Sequence, residues 1–212
     1  MTSEKTTLDR IYLRDYQPPD FLITATVLHF ELSANNTRVR SQLSIKRQSS
    51  DQGSLRLDGE ALVLERIRLD GKELTPNQYT IDDHSLTVHD VPSEFTLQIE
   101  NWVSPAANTK LEGLYLSSGN FCTQCEPEGF RRITYFIDRP DVLSEFTVTL
   151  SASVTDCPVL LSNGNRLSTE TLANGRHQVT WHDPHPKPSY LFALVAGDLG
   201  FIEDRFTTAS AR

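Results

Sequence analysis

The chain has 212 residues, of which 38% are hydrophobic and 23% charged, a composition typical of a soluble globular protein and unlike that of a disordered or membrane-inserted chain. Its formal net charge of −8 excludes a nucleic-acid partner, which requires a basic face to neutralise phosphates. Residues 1–10 are polar and the three cysteines are an odd number, so the sequence predicts a cytoplasmic protein with reduced thiols.

Apolar side chains recur at every second position along much of the chain, which is the period of a half-buried strand. These runs lie at residues 28–32, 39–45, 55–57, 62–64, 86–88, 95–99 and 146–150. Only Pro140 and the five residues after it favour a short helical turn. Residues 190–196 are continuously apolar, which predicts a strand buried on both faces. The pattern indicates an all-β fold, a large and mostly antiparallel sheet or β-sandwich with little helix.

Turn dipeptides separate several of these runs. They are Asp-Gly at residues 58–59 and 70–71, and Asn-Gly at residues 163–164 and 174–175. Because these dipeptides supply the positive φ of tight turns, we expect hairpins there, with two in succession around Gly164 and Gly175.

No glycine- and serine-rich linker and no internal repeat divides the chain. We therefore expect a flexible N-terminus over residues 1–15 and a single β domain over residues 16–212. Residues 206–212 have the pattern of a strand and indicate a cut before a further domain.

The cysteines suggest a thiol or metal site. Cys122 and Cys125 form a C-x-x-C pair, but Cys157 has no neighbour at matching spacing, so four zinc ligands are not present. A redox pair of the thioredoxin type would open a helix, whereas this pair is followed by proline and flanked by strands. We expect ordinary thiols in a loop and keep a metal or thiol switch as an alternative.

Histidines cluster at His177, His182 and His185, and imidazole is a common metal ligand. His182 and His185 fall in a proline-rich stretch that predicts a solvated loop, with metal binding as the less favoured interpretation. The H-E-x-x-H motif of zinc peptidases, the G-x-S-x-G nucleophile motif and a glycine-rich phosphate loop are all absent from the sequence. Glu126 and Glu128 are an acid pair of the kind that usually lies solvated on a loop.

Several strings occur in a fixed order. They are S-P-A-A-N-T at 104–109, L-E-G-L-Y at 111–115, C-T-Q-C-E at 122–126, G-F-R at 129–131, Y-F-I-D-R-P at 135–140 and K-P-S-Y-L-F-A-L-V-A-G-D at 187–198. This order closely resembles the N-terminal domain of aminopeptidase N, in particular its proteobacterial branch. The likeness begins near residues 16–21 and runs to the end of the chain. Many family members carry Asp-Glu-Pro at residues 138–140 and an aromatic residue at Cys125, but these departures leave Gln124 and Glu126 in register.

The resemblance implies a saddle-like β domain that packs on a thermolysin-like catalytic domain, with helical parts beyond, in an enzyme expected to be a monomer. It implies that zinc, its ligands and the general base lie past Arg212, so we expect neither bound metal nor catalytic residues in this chain. By resemblance, Glu126 helps bind the free α-amino group of a peptide and Gln124 lines the pocket for its first side chain.

These implications make the parent a zinc-dependent aminopeptidase and the 212 residues alone an inactive part of it. A different class of function remains open, since function resides in a site and not in a fold. The alternative is a freestanding β-sandwich that serves as a binding or interaction module without peptidase activity.

Overall fold

The computed structural model describes residues 12–49, 53–207 and 209, and in these residues it contains fifteen strands. In chain order they are β1 Phe21–Glu31, β2 Thr37–Arg47, β3 Leu55–Asp58, β4 Val63–Leu69, β5 Lys72–Glu73, β6 Tyr79–Ile81, β7 Ser85–Val88, β8 Glu94–Val103, β9 Gly113–Ser117, β10 Asn120–Gln124, β11 Leu143–Ser153, β12 Val159–Ser162, β13 Asn165–Thr171, β14 Arg176–Pro188 and β15 Leu194–Gly197.

Helix is limited, in the described part of the chain, to four 3-10 turns of three residues each. They are Leu13–Asp15, Pro105–Ala107, Phe130–Arg132 and Ser189–Leu191. None of these turns has the length and apolar character needed to cross a membrane. The all-β prediction is therefore confirmed.

The strands form three sheets. The large sheet has the order β13-β14-β11-β1-β2-β8-β4-β5, the second sheet the order β12-β15-β10-β9, and the third the order β3-β7-β6. Neighbouring strands are antiparallel except for β1 and β11, which run parallel with Ala25 opposite Glu145. The prediction of a mostly antiparallel structure is confirmed, and the parallel pair joins strands that are far apart in the sequence.

The apolar residues that alternate in the sequence are the ones that are buried in the strands. On β2, Val39, Ser41, Leu43 and Ile45 are buried, while Arg40, Gln42 and Ser44 between them are at least partly solvent-accessible. Residues from all three sheets contribute to one core, which contains Leu57 of β3 and Leu114 of β9. The apolar faces of the sheets thus meet each other, as the hydrophobic effect requires of half-buried strands.

An aromatic cluster lies in this core. The ring of Phe130 is fully buried, and its centroid lies 4.8 Å from that of Phe136, 5.2 Å from that of Phe192 and 6.0 Å from that of Phe146, each in an edge-to-face arrangement. This is the preferred geometry of aromatic pairs. Phe130 begins a 3-10 turn directly after residues 126–129, so the cluster anchors the segment that carries the predicted site.

Two of the four expected hairpins are present. Asp70 and Gly71 have φ of 48° and 78° and connect β4 to β5, and Asn174 and Gly175 have φ of 60° and 68° and precede β14, which pairs with β13. Both positions match the positive φ that tight hairpin turns require.

The hairpin predictions at residues 58–59 and 163–164 are wrong. After β3 the chain does not turn back, because β3 pairs with β7 and Asp58 forms a bridge with Phe136. A Cβ at Gly59 would lie 2.2 Å from the Tyr135 ring, so this glycine permits close packing. Gly164 connects β12 in the second sheet to β13 in the large sheet, so the two strands beside it do not pair.

Two other local predictions also differ from the structure. The turn expected after Pro140 is limited to one hydrogen bond, 3.3 Å from the Val142 N–H to the Arg139 carbonyl, and β11 begins at Leu143. Residues 190–196 are not one buried strand, because Ser189–Leu191 is a 3-10 turn and Leu191 is 46% exposed.

At the C-terminus, residues 206 and 207 lie outside any strand, and residues 208 and 210–212 are not among those described. The flexible segment expected over residues 1–15 falls mainly on residues 1–11, which are also outside the described residues.

Candidate functional site

The predicted site lies where β10 ends. β10 pairs with β9 on one side and with β15 on the other, and Gln124 is its last residue, opposite Gly113. The chain then turns, with the Gly129 N–H donating to the Cys125 carbonyl oxygen at 2.8 Å. The peptide bond between Glu126 and Pro127 is cis. This turn lifts residues 126–128 out of the sheet and into solvent.

Glycine is required to close the turn. A Cβ at Gly129 would lie 2.2 Å from the carbonyl oxygen of Gln124 and 2.9 Å from the Cα of Cys125, both of them backbone atoms. Such contacts cannot be relieved by rotating a side chain, so a larger residue would force the turn open.

Buried side chains hold the turn at both ends. Cys125 is 3% exposed and Phe130 is fully buried, whereas Glu126, Pro127 and Glu128 between them are exposed. The core therefore fixes where the turn enters and leaves the sheet, and the residues that reach solvent are held on a short segment.

An open depression of about 570 Å³ lies beside the turn. Its polar side is formed by Gln124, Glu126 and Glu128, and its apolar side by residues distant in sequence. The lining residues are Gln124, Glu126, Pro127, Glu128, Pro140 and Tyr190. The structure thus brings both predicted site residues together and adds Pro140 and Tyr190, which the sequence analysis did not assign to a site.

The two glutamates of the turn differ in their electrostatic surroundings. Glu128 lies 3.3 Å from the Arg131 guanidinium, an ion-pair partner that it shares with Asp138. Glu126 has no ion pair with any residue that the structure describes. Its backbone carbonyl oxygen accepts a hydrogen bond from the Gln124 side-chain amide at 3.1 Å. Glu126 is consequently the carboxylate of this turn that is free to bind an added cation.

A buried acid, Asp138, lies two residues before Pro140 of the depression. The Asp138 side chain is 1% exposed, and it accepts hydrogen bonds from Arg131 and from Ser189. In the sequence, Asp138 stands out only as part of the Y-F-I-D-R-P string. The signal that points to it is an aspartate that directly follows the buried apolar residues 135–137, since a buried carboxylate requires charged or hydrogen-bonding partners.

The cysteines are free thiols in this structure. Burial raises the pKa of the Cys125 thiol, which also lies near the Asp138 carboxylate. Cys122 lies on β10 and is half-buried. Within the described residues, no group of three or more His, Cys, Asp or Glu side chains is arranged to hold a metal ion.

The three histidines lie on β14, so the loop predicted for His182 and His185 is wrong. His177 and His182 are five residues apart in an unbroken register with β11, and they therefore project from opposite faces of the sheet. The His177 Nε2 donates to the Cys157 carbonyl oxygen at 2.7 Å, and the His182 Nδ1 lies 3.1 Å from the Thr147 hydroxyl. The fold therefore keeps His177 and His182 apart, whereas a shared metal ion would require them to lie together.

Comparison with known proteins identifies the family. Residues 16–191 match the family model of the peptidase M1 N-terminal domain. The chain belongs to this family. Its relatives include aminopeptidase N of Escherichia coli, 48% identical over 201 residues, and aminopeptidase N of Caulobacter vibrioides, 48% identical over 202 residues. Each alignment covers 95% of this chain and 23% of the relative, so the chain spans about a quarter of the length of these enzymes.

Solved structures of other proteins share this fold. The chain resembles Legionella pneumophila aminopeptidase A in complex with aspartic acid, with a TM-score of 0.90, 36% identity, and coverage of 94% of this chain and 24% of that one. A mutant Deinococcus radiodurans M1 zinc metallopeptidase bound to a Tyr-Ser-Ala substrate matches with a TM-score of 0.73 and 17% identity, over 84% of this chain and 42% of that one. The second likeness concerns the fold alone. The resemblance predicted from the sequence strings is confirmed.

Proposed function

We propose that this chain is the non-catalytic N-terminal domain of a cytoplasmic zinc aminopeptidase, in which Glu126 binds the free α-ammonium group of a peptide. Gln124 contacts the first side chain of the same peptide. The observation that carries the proposal is the unpaired carboxylate of Glu126, which lies at the edge of a depression, whereas the neighbouring Glu128 pairs with Arg131.

The chemistry of the substrate supports this role. An aminopeptidase must distinguish a chain end from a chain interior, and the distinguishing group is an α-amine with a pKa of about 7.7–8.0. This amine is largely protonated at neutral pH. A carboxylate held at a fixed position on a rigid turn binds the ammonium and determines which peptide bond is presented for cleavage.

The strength of this contact depends on what covers it. Glu126 is exposed in the 212-residue chain, and an exposed ion pair contributes only about 0–1 kcal/mol. Closure of the depression by another part of the polypeptide would exclude water and strengthen the interaction. We therefore expect negligible peptide affinity and no turnover from residues 1–212 alone.

Zinc does not fit the described residues of this chain, since they contain no cluster of three suitable ligands. The proposal therefore assigns the metal and the bond-breaking step to the catalytic domain of the same polypeptide. The contribution of this chain is limited to holding the amine end of the substrate.

The proposed partners are the catalytic and helical domains of one monomeric enzyme. Large apolar side chains near the end of the described residues support a covered surface there, because Phe201 is 89%, Ile202 is 99% and Phe206 is 86% exposed. Large apolar side chains exposed close together in sequence are consistent with a segment that another domain covers.

The experiment that tests the proposal compares two matched variants of the intact aminopeptidase. Glu126→Gln should raise KM and lower kcat/KM for an aminoacyl anilide about 10-fold or more, since a hydrogen bond to a charged group contributes about 1.5–3 kcal/mol. Glu128→Gln, in the same turn, should change either constant less than about threefold, because Glu128 is exposed and its carboxylate is already engaged by Arg131. Zinc content should stay normal in both.

An N-acetylated substrate provides the second arm of this experiment. It lacks the ammonium group, so the preference for the free-amine substrate should fall in Glu126→Gln and stay unchanged in Glu128→Gln. Equal kinetics for the two variants would contradict the role of Glu126. Zinc-dependent hydrolysis of an aminoacyl anilide by residues 1–212 alone would contradict the non-catalytic assignment.

A further inference from the structure

Asp138 is a buried carboxylate whose hydrogen-bonding capacity is used on both oxygens. Its Oδ2 accepts from the Arg131 backbone N–H at 3.1 Å and from the Arg131 Nε at 3.0 Å, and its Oδ1 accepts from the Ser189 hydroxyl at 2.5 Å. With its side chain 1% exposed, Asp138 is shielded from solvent, so it does not contact substrate directly.

The backbone of Asp138 is fixed as well. Its carbonyl oxygen accepts from the Arg131 Nη2 at 3.2 Å, and its N–H donates to the Asp58 Oδ2 at 3.2 Å. The backbone of Asp138 is therefore bonded to Asp58 at the end of β3, while its carboxylate is bonded to Arg131 and Ser189. Contacts of this number leave the residue little freedom to move.

Each segment that Asp138 holds leads into a wall of the depression. Arg131 lies two residues after Gly129, which closes the turn that carries Glu126, so the bond from the Arg131 backbone N–H to Asp138 holds the end of this turn. Ser189 immediately precedes Tyr190, which forms part of the apolar wall together with Pro140. Tyr190 lies some sixty residues from the Glu126 turn in sequence, and the Asp138 carboxylate is bonded to the segments that lead into both.

A buried carboxylate is a weak means of gaining stability, because desolvation offsets most of the attraction to its partners. A polar network at such a position can instead specify one geometry, provided that its members are satisfied. Asp138, Arg131 and Ser189 meet this condition, since both carboxylate oxygens and the serine hydroxyl have partners.

We propose that Asp138 is a positioning residue that sets the distance between the Glu126 turn and the Tyr190 wall, and thereby the affinity of the enzyme for the amine end of a peptide. This inference rests on the function proposed above. It concerns the geometry of the site and assigns no chemical step to Asp138.

The test uses the intact aminopeptidase with Asp138→Asn and Ser189→Ala. Asp138→Asn should raise KM for an aminoacyl anilide about 5- to 30-fold with kcat within about threefold, because it weakens the link between the walls while the catalytic domain is unchanged. Ser189→Ala removes only the bond at the Tyr190 wall and should raise KM by a smaller factor. Ser189→Thr, which restores a hydroxyl, should return KM toward the original value.

A control of matched burial separates positioning from general destabilisation. Thr37 is fully buried, and its hydroxyl donates to the Ser33 carbonyl oxygen at 2.8 Å beside the turn between β1 and β2. Thr37→Val should lower the melting temperature and leave KM unchanged. If KM rose as much in Thr37→Val as in Asp138→Asn, the positioning role of Asp138 would be overturned. If Asp138→Asn does not fold, the KM values of Ser189→Ala and Ser189→Thr test the positioning role in its place.

A double variant distinguishes this proposal from the function on which it rests. If Asp138 acts through the Glu126 turn, Asp138→Asn should raise KM much less in a Glu126→Gln background than in the parent enzyme. Unchanged KM in Glu126→Gln alone would reject the proposed function. An effect in Glu126→Gln combined with unchanged KM in folded Asp138→Asn and in Ser189→Ala would reject the positioning role alone.

Discussion

The side-chain amide of Gln124 donates a hydrogen bond to the backbone carbonyl oxygen of Glu126, with 3.1 Å between Nε2 and the oxygen. Gln124 is the last residue of β10, and Glu126 is in the exposed turn that follows. The bond therefore ties the turn to the sheet and makes the two residues one unit. A substitution at Gln124 should affect the position of the Glu126 carboxylate as well as contacts with a first side chain.

Gln124→Ala in the intact aminopeptidase should raise KM for an aminoacyl anilide about 2- to 10-fold, because one hydrogen bond contributes about 0.5–1.5 kcal/mol. Steady-state kinetics would measure this change. Gln98→Ala is the matched control, since the Gln98 amide donates at 3.0 Å to Gln42 on the large sheet and does not line the depression. The same KM in Gln124→Ala as in the control would show that the turn holds its position without this bond.

Gly129→Ala should destabilise the fold, because the added Cβ would meet backbone atoms at 2.2 and 2.9 Å. Overpacking of this kind costs about 1–3 kcal/mol, and in a chain of this length each kcal/mol lowers the melting temperature by about 2–4 °C. Gly200→Ala is the control, since a Cβ there has no neighbour within 4 Å. Differential scanning calorimetry of both variants would measure the difference, and equal melting temperatures would contradict the packing argument.

The strands could be predicted from sequence because burial of alternate side chains on a sheet produces a local signal with a period of two. β2 illustrates this, since Val39, Leu43 and Ile45 are both alternate in sequence and buried. Which strands pair is a different question. The parallel pairing of Ala25 with Glu145 depends on tertiary packing over a long separation, and no local pattern encodes it.

The site was predicted only where a resemblance named its residues. Gln124 and Glu126 are separated by a single residue, so their proximity follows from sequence. Asp138 contacts Ser189 across some fifty residues, and Tyr190 reaches the depression only because of that packing. Glycines at turns were ambiguous for a physical reason, since Gly59 serves close packing against Tyr135 and not a hairpin.

Cysteine reactivity should separate the members of the C-x-x-C pair. Cys125 and Cys157 are 3% and 2% exposed, and burial raises the pKa of both thiols, which lowers the fraction of reactive thiolate. Cys122 is half-buried and should react several-fold faster with iodoacetamide at pH 8. Mass spectrometry of timed samples would measure the three rates. In guanidinium chloride all three should react at similar rates, and similar rates in the native chain would contradict the burial of Cys125.

His29 should contribute to a loss of stability in mild acid. On β1 it lies opposite Arg40 of β2 and Thr149 of β11, and its Nε2 is buried without a hydrogen-bond partner among the described residues. Burial, and then the Arg40 charge, lower the pKa of His29 below its ordinary value of 6.5, although Glu31 opposes the shift.

The sign of the effect follows from proton binding. Because the unfolded chain binds a proton at His29 at a higher pH than the folded chain does, stability falls as the pH drops through about 6.5 toward the lower folded pKa. His29→Gln, which cannot titrate, should therefore lose less melting temperature than the parent chain between pH 7.5 and pH 5.5. His185→Gln, at an exposed position on β14, should follow the parent. An equal loss of melting temperature in all three proteins between pH 7.5 and pH 5.5 would show that His29 is not responsible for the acid sensitivity.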